Sequence, residues 1–171
     1  VLISKKDDAG NWEAPKVFAQ SFNDGKTNIT NAVFSPDNKM IFFTQCRDNV
    51  EGNLNKNQCQ IYYSSYVNST WSEAQLVGGD INGEGIQSTH PYLVKLEDES
   101  VVMYYSSNRE GGSGGMDLYK SVQGSDGTFS QGTNLSKINT SGDDITPFFD
   151  PIKSVLYFST DGLPTLGGLD I

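Results

Sequence analysis

Short apolar runs alternate with turn-forming residues along the chain, and the longest runs are apolar throughout. They stand at 40–43 (MIFF), 101–105 (VVMYY) and 155–158 (VLYF), next to turn segments such as SPDNK and LEDES. Because successive side chains of a strand point to opposite faces, a strand of this kind must be covered on both sides. The 3.6-residue period of an amphipathic helix is absent. The pattern predicts an all-β chain whose inner strands lie within a stack of sheets.

The same pattern returns at a spacing of about 57 residues. The segments NAVFSPDNKMIFFTQ, HPYLVKLEDESVVMYYSS and TPFFDPIKSVLYFST align from Asn31, His90 and Thr146. Three further sets of positions follow in register: Val1, Ile61 and Leu118 in a third run, then Trp12, Trp71 and Phe129 before an outer run, then Asn23, Asn82 and Asn139 in the connection. Each unit therefore contains four short strands separated by turns.

Four-stranded antiparallel units that repeat in this way are typical of β-propeller blades around a channel. We therefore expect a β-propeller of which about three blades are present. The predicted division is the end of one blade at 1–18, blades at 31–77 and 90–136, and the start of another blade at 146–171. Val1 and Ile171 fall at equivalent strand positions, so we expect this chain to be part of a larger propeller.

The strand order predicts where binding residues lie. In such a blade the turns after the first and third strands share one face. The loops after the second strand share the other face with the crossings between blades. The loops of this second face are the longer ones, at 46–58, 108–116 and 161–168 within blades and at 19–30, 78–89 and 136–145 between them. Since binding residues usually stand on loops held by a rigid scaffold, this long-loop face is the expected interaction face, with Arg47, Asp48, Arg109 and Glu110 as its candidate residues.

Charge and hydropathy exclude several classes of protein. The chain carries 12 Lys and Arg against 21 Asp and Glu, a net charge of −9. A nucleic-acid-binding domain needs a basic stripe to neutralise phosphates, so that class is excluded, as is docking to an anionic membrane by charge alone. We find no apolar run long enough to span a bilayer and no signal-peptide pattern in the first ten residues. The chain also begins without Met, which indicates an interior piece of a longer protein.

Cysteine usage bears on the compartment. Cys46 and Cys59 are the two cysteines of the chain. Two thiols are too few for a zinc site of ordinary ligand spacing unless carboxylates help. A structural disulfide is the favoured interpretation; it would stabilise the fold by about 3 kcal/mol in the chain-entropy model and requires an oxidising space. Two reduced thiols are the alternative.

Several of these segments resemble one known family. FSPDNKMIFFT, YYSSNREGGSGGMDLYKS and YFSTDGLPTLGGLDI are similar to the Pro-Asp variety of WD40-like β-propeller repeat, found in TolB-type propellers and in OmpA-family cell-envelope proteins of bacteria with type IX secretion. The resemblance covers essentially the whole chain. It is weaker where Lys95 replaces the proline of the Pro36–Asp37 turn, and where only Pro151 remains in the third copy. A cysteine-flanked insertion also replaces the glycine loop of the first blade.

The resemblance implies a secreted, non-catalytic scaffold that binds other proteins. Its expected location is the periplasm, the outer membrane or the cell surface, without a membrane span of its own. Its expected partners are other envelope or secretion-complex proteins, with peptidoglycan reached through domains outside this chain. The resemblance implies no cofactor. The alternative is the propeller of a glycoside hydrolase or the gating propeller of a peptidase.

One motif matches a hydrolase pattern by its letters alone. GGSGG at 111–115 fits the serine-hydrolase elbow, with Ser113 as the nucleophile. The elbow needs a strand that leads into a helix, together with a histidine base, and here a strand follows. His90 is the single histidine of the chain and is expected to be a hydrogen-bonded strand residue. We therefore expect a flexible glycine turn at this motif.

A glycosidase site would need carboxylates on the inner strands. Propeller glycosidases cleave with two or three carboxylates around the channel. The inner strands of this chain are expected to start at Asn31, His90 and Thr146, none of which is acidic. The nearest acids are Asp144, just before one inner strand, and Asp150 at its far end. The sequence therefore assigns no catalytic residue.

Three aspartates are expected to fix turns. Asp117 and Asp170 follow a Gly-Gly-aliphatic turn, and Asp37 stands in the Pro-Asp turn. A carboxylate at such a place accepts hydrogen bonds from backbone amides. Calcium is the competing interpretation for the oxygen-rich segments 80–85 and 141–144, but their spacing matches no known calcium loop, so no metal is assigned.

Overall fold

A computed structural model describes residues 1–23, 25, 27–48, 57–164 and 167–171, with the backbone alone for Asp48 and Asn57. Over these ranges the chain is built from strands and one short 3-10 turn at Gly79–Ile81. The same residues include no helix long and apolar enough to cross a membrane. The predicted all-β class is confirmed.

Thirteen strands of the described residues form antiparallel sheets in chain order. Their bounds are β1 (Leu2–Ile3), β2 (Lys16–Val17), β3 (Asn28–Phe34), β4 (Met40–Asp48), β5 (Asn57–Val67), β6 (Thr70–Trp71), β7 (Gln75–Leu76), β8 (Ser88–Lys95), β9 (Val101–Ser107), β10 (Asp117–Val122), β11 (Thr133–Asn134), β12 (Asp144–Asp150) and β13 (Val155–Thr160).

Each sheet pairs strands that are consecutive in the chain. Sheet 1 has the order β3-β4-β5-β6, with β7 also paired to β5; sheet 2 has the order β11-β10-β9-β8; sheet 3 is the pair β12-β13; and β1 pairs with β2. The fourth strand predicted for sheet 1 is therefore split into β6 and β7. The first strands β3 and β8 come into contact, and so do β8 and β12. Repeated antiparallel sheets with adjoining first strands are consistent with a β-propeller-like fold.

The apolar core lies between successive sheets. Phe42 of sheet 1 belongs to one buried cluster with Met103 and Tyr105 of sheet 2. On the other face of β4, Ile41 and Phe43 pack against residues that precede sheet 1. Tyr104 of sheet 2 stacks on Phe149 of sheet 3, with ring centroids 5.4 Å apart. This two-sided burial explains the uninterrupted apolar runs MIFF in β4 and VVMYY in β9.

The asparagines at the repeated position hold the third run of each unit. Asn82 Oδ1 accepts from Ile61 N at 2.9 Å, and Asn82 Nδ2 donates to Ile61 O at 2.9 Å. Asn139 makes the same two contacts with Leu118, at 2.9 and 3.1 Å. Asn23 does so with Val1. Each side-chain amide makes the two backbone hydrogen bonds that a neighbouring strand would make. The asparagines of the repeated position therefore have the same role in three places.

Two predicted boundaries are corrected by the structure. The first strands begin at Asn28, Ser88 and Asp144, ahead of the predicted starts, because each strand continues through a bulge. Cys46 and Cys59 were predicted to flank a loop at 46–58, but both lie within paired strands and are register partners in β4 and β5. The rest of that predicted loop, 49–56, lies outside the described residues.

Candidate functional site

A bulge interrupts the first strand of each sheet at the same repeated position. The register shifts between Thr30 and Val33, between Thr89 and Tyr92, and between Ile145 and Phe148. The bulged residues have positive φ: 52° at Asn31, 54° at His90 and 53° at Thr146. This conformation is uncommon for residues other than glycine and is strained for β-branched threonine. The three residues that were predicted to start the first strands are therefore bulged residues with a strained backbone, and they lie on neighbouring strands.

His90 is a polar residue of sheet 2 that contacts sheet 1. Its backbone N donates to Thr44 Oγ1 of sheet 1 at 2.9 Å, and its Nδ1 lies 2.8 Å from Thr89 Oγ1. Burial lowers the pKa of the imidazole from its ordinary value of 6.5, because the charged form loses its hydration. The ring is therefore neutral near pH 7, which suits it to exchange hydrogen bonds with an uncharged ligand.

Thr146 opens onto a cavity on sheet 3. Its hydroxyl lies 2.8 Å from Ser159 Oγ on the paired strand. Both hydroxyls line a cavity of about 380 Å³, whose other walls include the aromatic rings of Phe148 and Tyr157. Phe148 and Tyr157 are about half exposed, and their ring centroids are 6.2 Å apart. Hydroxyls beside aromatic rings offer both hydrogen bonds and an apolar surface to one ligand.

Two exposed carboxylates meet at the end of the same sheet. Asp144 pairs with Thr160 in the β12–β13 register, so Asp143 and Asp161 stand side by side where that ladder ends. Asp161 Oδ1 accepts from Asp143 N at 2.7 Å, and Asp143 Oδ1 accepts from Met116 N at 2.8 Å. Within the described residues, no hydrogen bond reaches the Oδ2 atom of either carboxylate. The sequence does not reveal this pair, because the two aspartates are 18 residues apart and only the strand register brings them together.

Two other aspartates nearby are buried and held by backbone groups. Asp117 accepts from Ser113 N at 2.8 Å and from Gly114 N at 3.4 Å. A Cβ at position 112 would clash with the Asp117 carboxylate, which explains the glycine there. Asp144 accepts from Thr140 N at 2.6 Å and from Thr140 Oγ1 at 3.1 Å. Their hydrogen bonds fix loops, and the described residues include no cluster of acidic, histidine and cysteine side chains that could hold a metal ion.

The remaining turn aspartates differ in their contacts. Asp37 accepts from Ser35 Oγ at 2.6 Å and from Lys39 N at 3.1 Å, and the hydrogen bond from Ser35 is the main cause that lowers the pKa of its carboxyl. In the second copy, where the Pro-Asp turn is absent, Asp98 makes the equivalent contacts with Ser100. Asp170 pairs through its backbone with Thr160.

The candidate interaction residues whose side chains are described differ in their contacts. The Arg109 guanidinium lies 4.8 Å from the Tyr119 ring centroid and donates to Ile81 O at 2.8 Å, so it braces the core. Arg47 is exposed, with its guanidinium 5.4 Å from the Tyr62 ring centroid. Glu110 is exposed. The side chain of Asp48 lies outside the described residues.

The predicted disulfide is confirmed. Cys46 and Cys59 are bonded, with Cα atoms 4.0 Å apart on adjacent strands of sheet 1. The bond joins β4 to β5 near the long-loop end of both strands. It therefore anchors the start and the end of the segment between them.

Comparisons with known proteins support the fold and redirect the function. We found no matching family model and no matching curated protein. Among solved structures, the chain is similar to an endo-arabinase from Bacteroides thetaiotaomicron VPI-5482, with 18% identity and a TM-score of 0.52. The match covers 98% of this chain and 62% of the endo-arabinase, so this chain spans less than two thirds of that enzyme.

The predicted function of a non-catalytic scaffold is corrected by this finding. The architecture on which that prediction depended is shared with an endo-arabinase. A fold alone does not determine function, so the absence of catalysis no longer follows from it. The likeness favours the alternative stated above, the propeller of a glycoside hydrolase.

Proposed function

We propose that this chain belongs to a propeller-type glycoside hydrolase and that sheet 3 carries its active site. The observation that carries the proposal is the exposed pair Asp143 and Asp161 at the end of the β12–β13 ladder, the same ladder that bears the cavity lined by Thr146, Ser159 and Tyr157. Glycoside hydrolysis uses two carboxyl groups, one to protonate the leaving oxygen and one to act as base or nucleophile. The fold likeness to an endo-arabinase supports a furanose polymer as the first substrate to test.

In this proposal each antiparallel sheet is one propeller blade, with its first strand innermost. The bulges at Asn31, His90 and Thr146 then surround the channel with uncharged hydrogen-bonding groups. Such groups suit a neutral sugar, which presents hydroxyls at its edges and apolar C–H groups at its faces. The disulfide supports an oxidising compartment as the place of action, since such bonds persist there.

Asparagine substitutions of the two carboxylates test the proposal. Asp143→Asn and Asp161→Asn keep an Oδ1 acceptor for Met116 N and Asp143 N, so the loop contacts persist. Removal of a general acid or base should lower the release of reducing ends from debranched arabinan by about 100-fold or more. Asp98→Asn, a turn aspartate on the opposite face, is the matched control and should cleave at the wild-type rate.

Two results would contradict the proposal. The first is that the wild-type chain releases no reducing ends from arabinan or from a panel of other neutral polysaccharides. The second is that both asparagine variants cleave as fast as the wild type. Circular dichroism of each variant shows whether a lost rate reflects a lost fold.

A further inference from the structure

A second cavity lies between sheets 1 and 2, near the short turns and therefore at the opposite end of the strands from Asp143 and Asp161. Its volume is about 520 Å³, within the range of small-molecule sites. The described residues that line it are Met40, Phe42, Tyr63, Ser65, Leu76, Val77, Gly78, Gln123, Asp126, Gly127, Thr128 and Phe129. It belongs neither to the cavity on sheet 3 nor to the bulged first strands.

One wall of this cavity is a positioned aromatic surface. The hydroxyl of Tyr63 donates to Gln75 Oε1 at 2.7 Å, which holds the ring in place. The ring packs against Phe42, and Phe42 meets Phe129 edge to face; both centroid distances are 5.9 Å. Leu76, which is 46% exposed, extends the apolar surface. A fixed, half-buried tyrosine ring of this kind can stack against the C–H face of a sugar.

The opposite wall carries polar groups held by a tight turn. Asp126 Oδ1 accepts from Thr128 N at 3.0 Å and from Thr128 Oγ1 at 2.8 Å. Gln123 Nε2 donates to Gly127 O at 3.0 Å. Within the described residues, Asp126 Oδ2 and Gln123 Oε1 receive no hydrogen bond, so two rigid acceptors remain for a ligand. Both are suited to accept from hydroxyl groups.

Charge further limits the ligand. The described lining residues of this cavity include no lysine, arginine or histidine, while Asp126 adds a negative charge. A phosphate or carboxylate ligand would therefore be repelled. An apolar floor with acceptors at the rim fits a neutral, hydroxyl-rich ring.

The cavity continues toward the first strands. A smaller cavity of about 290 Å³ shares Met40 and Gln123 with it and is also lined by Pro36, Asp37 and Lys95. The two together form a groove along the short-turn face, in which the Lys95 ammonium is paired with the Glu99 carboxylate. A groove longer than one sugar ring fits a segment of a polymer better than a monosaccharide.

We propose that this groove, defined by Tyr63, Gln123 and Asp126, is a non-catalytic binding site for a neutral oligosaccharide. The inference rests on the proposed function for the class of ligand, because a polysaccharide-cleaving enzyme meets such chains. It deepens that function by adding a site that retains the polymer on the face opposite to the carboxylate pair.

The test is a titration of the isotope-labelled full chain with a linear arabino-oligosaccharide, followed by NMR. Backbone amides of Tyr63, Gln123 and Asp126 should shift on binding. Asp126→Asn keeps the turn, since an amide oxygen can accept from Thr128, and should weaken binding about tenfold by removing a charged acceptor. Tyr63→Leu keeps apolar volume and should also weaken binding. The control Asp98→Asn removes the same charge from a matching turn outside the groove, because Asp98 makes the same pair of contacts with Ser100.

The outcomes separate this inference from the proposed function. Shifts at the groove without cleavage of arabinan would support the binding site and contradict the hydrolase. Cleavage without shifts at the groove, or equal affinity in Asp126→Asn and wild type, would overturn the binding site. Saturation of the groove by the oligosaccharide in Asp143→Asn would support a site independent of the carboxylates, and a loss of groove shifts in that folded variant would overturn it.

Discussion

At the scale of single residues, the bulged positions of the first strands combine backbone strain with polar side chains, which are exposed at Asn31 and Thr146 and partly buried at His90. Their polar character can be read from the sequence, and so can their equivalence in the repeat. Their positive φ cannot, because Asn31, His90 and Thr146 are ordinary strand residues in most contexts. Only the pairing on both sides of each bulge holds such residues in the left-handed region.

We expect His90 to make stability depend on pH. Burial lowers the pKa of the folded-state imidazole below 6.5. As the pH falls below this value, the unfolded chain takes up the proton first, so the folded state loses stability, and stability rises again with pH through the same window. His90→Asn should flatten this slope between about pH 7 and pH 5, as measured by urea unfolding.

Asparagine is the appropriate replacement at this site. Asn31 occupies the equivalent bulge in sheet 1 with nearly the same φ, and asparagine tolerates that conformation. Hydrogen bonds hold the carboxyl pKa values of Asp37, Asp98 and Asp126 low, so the stability that these carboxylates give the folded chain is lost only at more acidic pH. An unchanged slope in His90→Asn would show that His90 does not titrate during unfolding.

At the scale of elements, the strands and their turns follow closely from the sequence. The uninterrupted apolar runs predicted the doubly covered strands β4 and β9, and the repeated asparagines predicted equivalent connections. Strand bounds were predicted less well. Hydrogen bonds carry β4 past Cys46 to Asp48, although its residues from Gln45 onward are polar, and local composition does not reveal such pairing.

The disulfide between β4 and β5 should stabilise sheet 1 by about 3 kcal/mol, the value expected for a loop of this length. Reduction should raise the intact mass by two hydrogen atoms and lower the melting temperature. The double variant Cys46→Ser, Cys59→Ser should melt at that lower temperature with or without reductant. Equal masses before and after reduction would contradict the bond.

At the scale of the whole molecule, stability depends on how one sheet covers the next. Phe42 is almost fully buried between sheets 1 and 2, whereas Tyr157 stands at the equivalent place in sheet 3 and is 40% exposed. The two residues therefore have the same position in the repeat and different surroundings. Their comparison isolates the contribution of packing between sheets.

Phe42→Ala should lower the free energy of unfolding by about 3–5 kcal/mol, because it removes a large buried ring and leaves a cavity. Tyr157→Ala should cost less than half as much, since its ring is already partly in water. Chemical denaturation with fluorescence detection measures both. Equal losses of unfolding free energy in the two variants would show that contact between the sheets contributes little to stability.

The function of the chain also depends on the fold of the whole molecule. The expected scaffold role came from a resemblance in repeated segments, and the likeness to an endo-arabinase corrected it. Asp143 was considered only within the oxygen-rich segment 141–144, and Asp161 looks like an ordinary turn aspartate in the sequence. They form a pair only through the register of β12 and β13.

The sequence by itself determined the all-β class and the repeat, because both depend on local periodicity. It favoured a disulfide between Cys46 and Cys59, the two cysteines of the chain, over two reduced thiols. Only the tertiary structure decided the bulges, the bracing of Arg109, the meeting of Asp143 with Asp161, and the groove beside Tyr63. The reason is physical. These features arise from contacts between strands distant in the chain, and the register and packing of those strands are set by the whole fold.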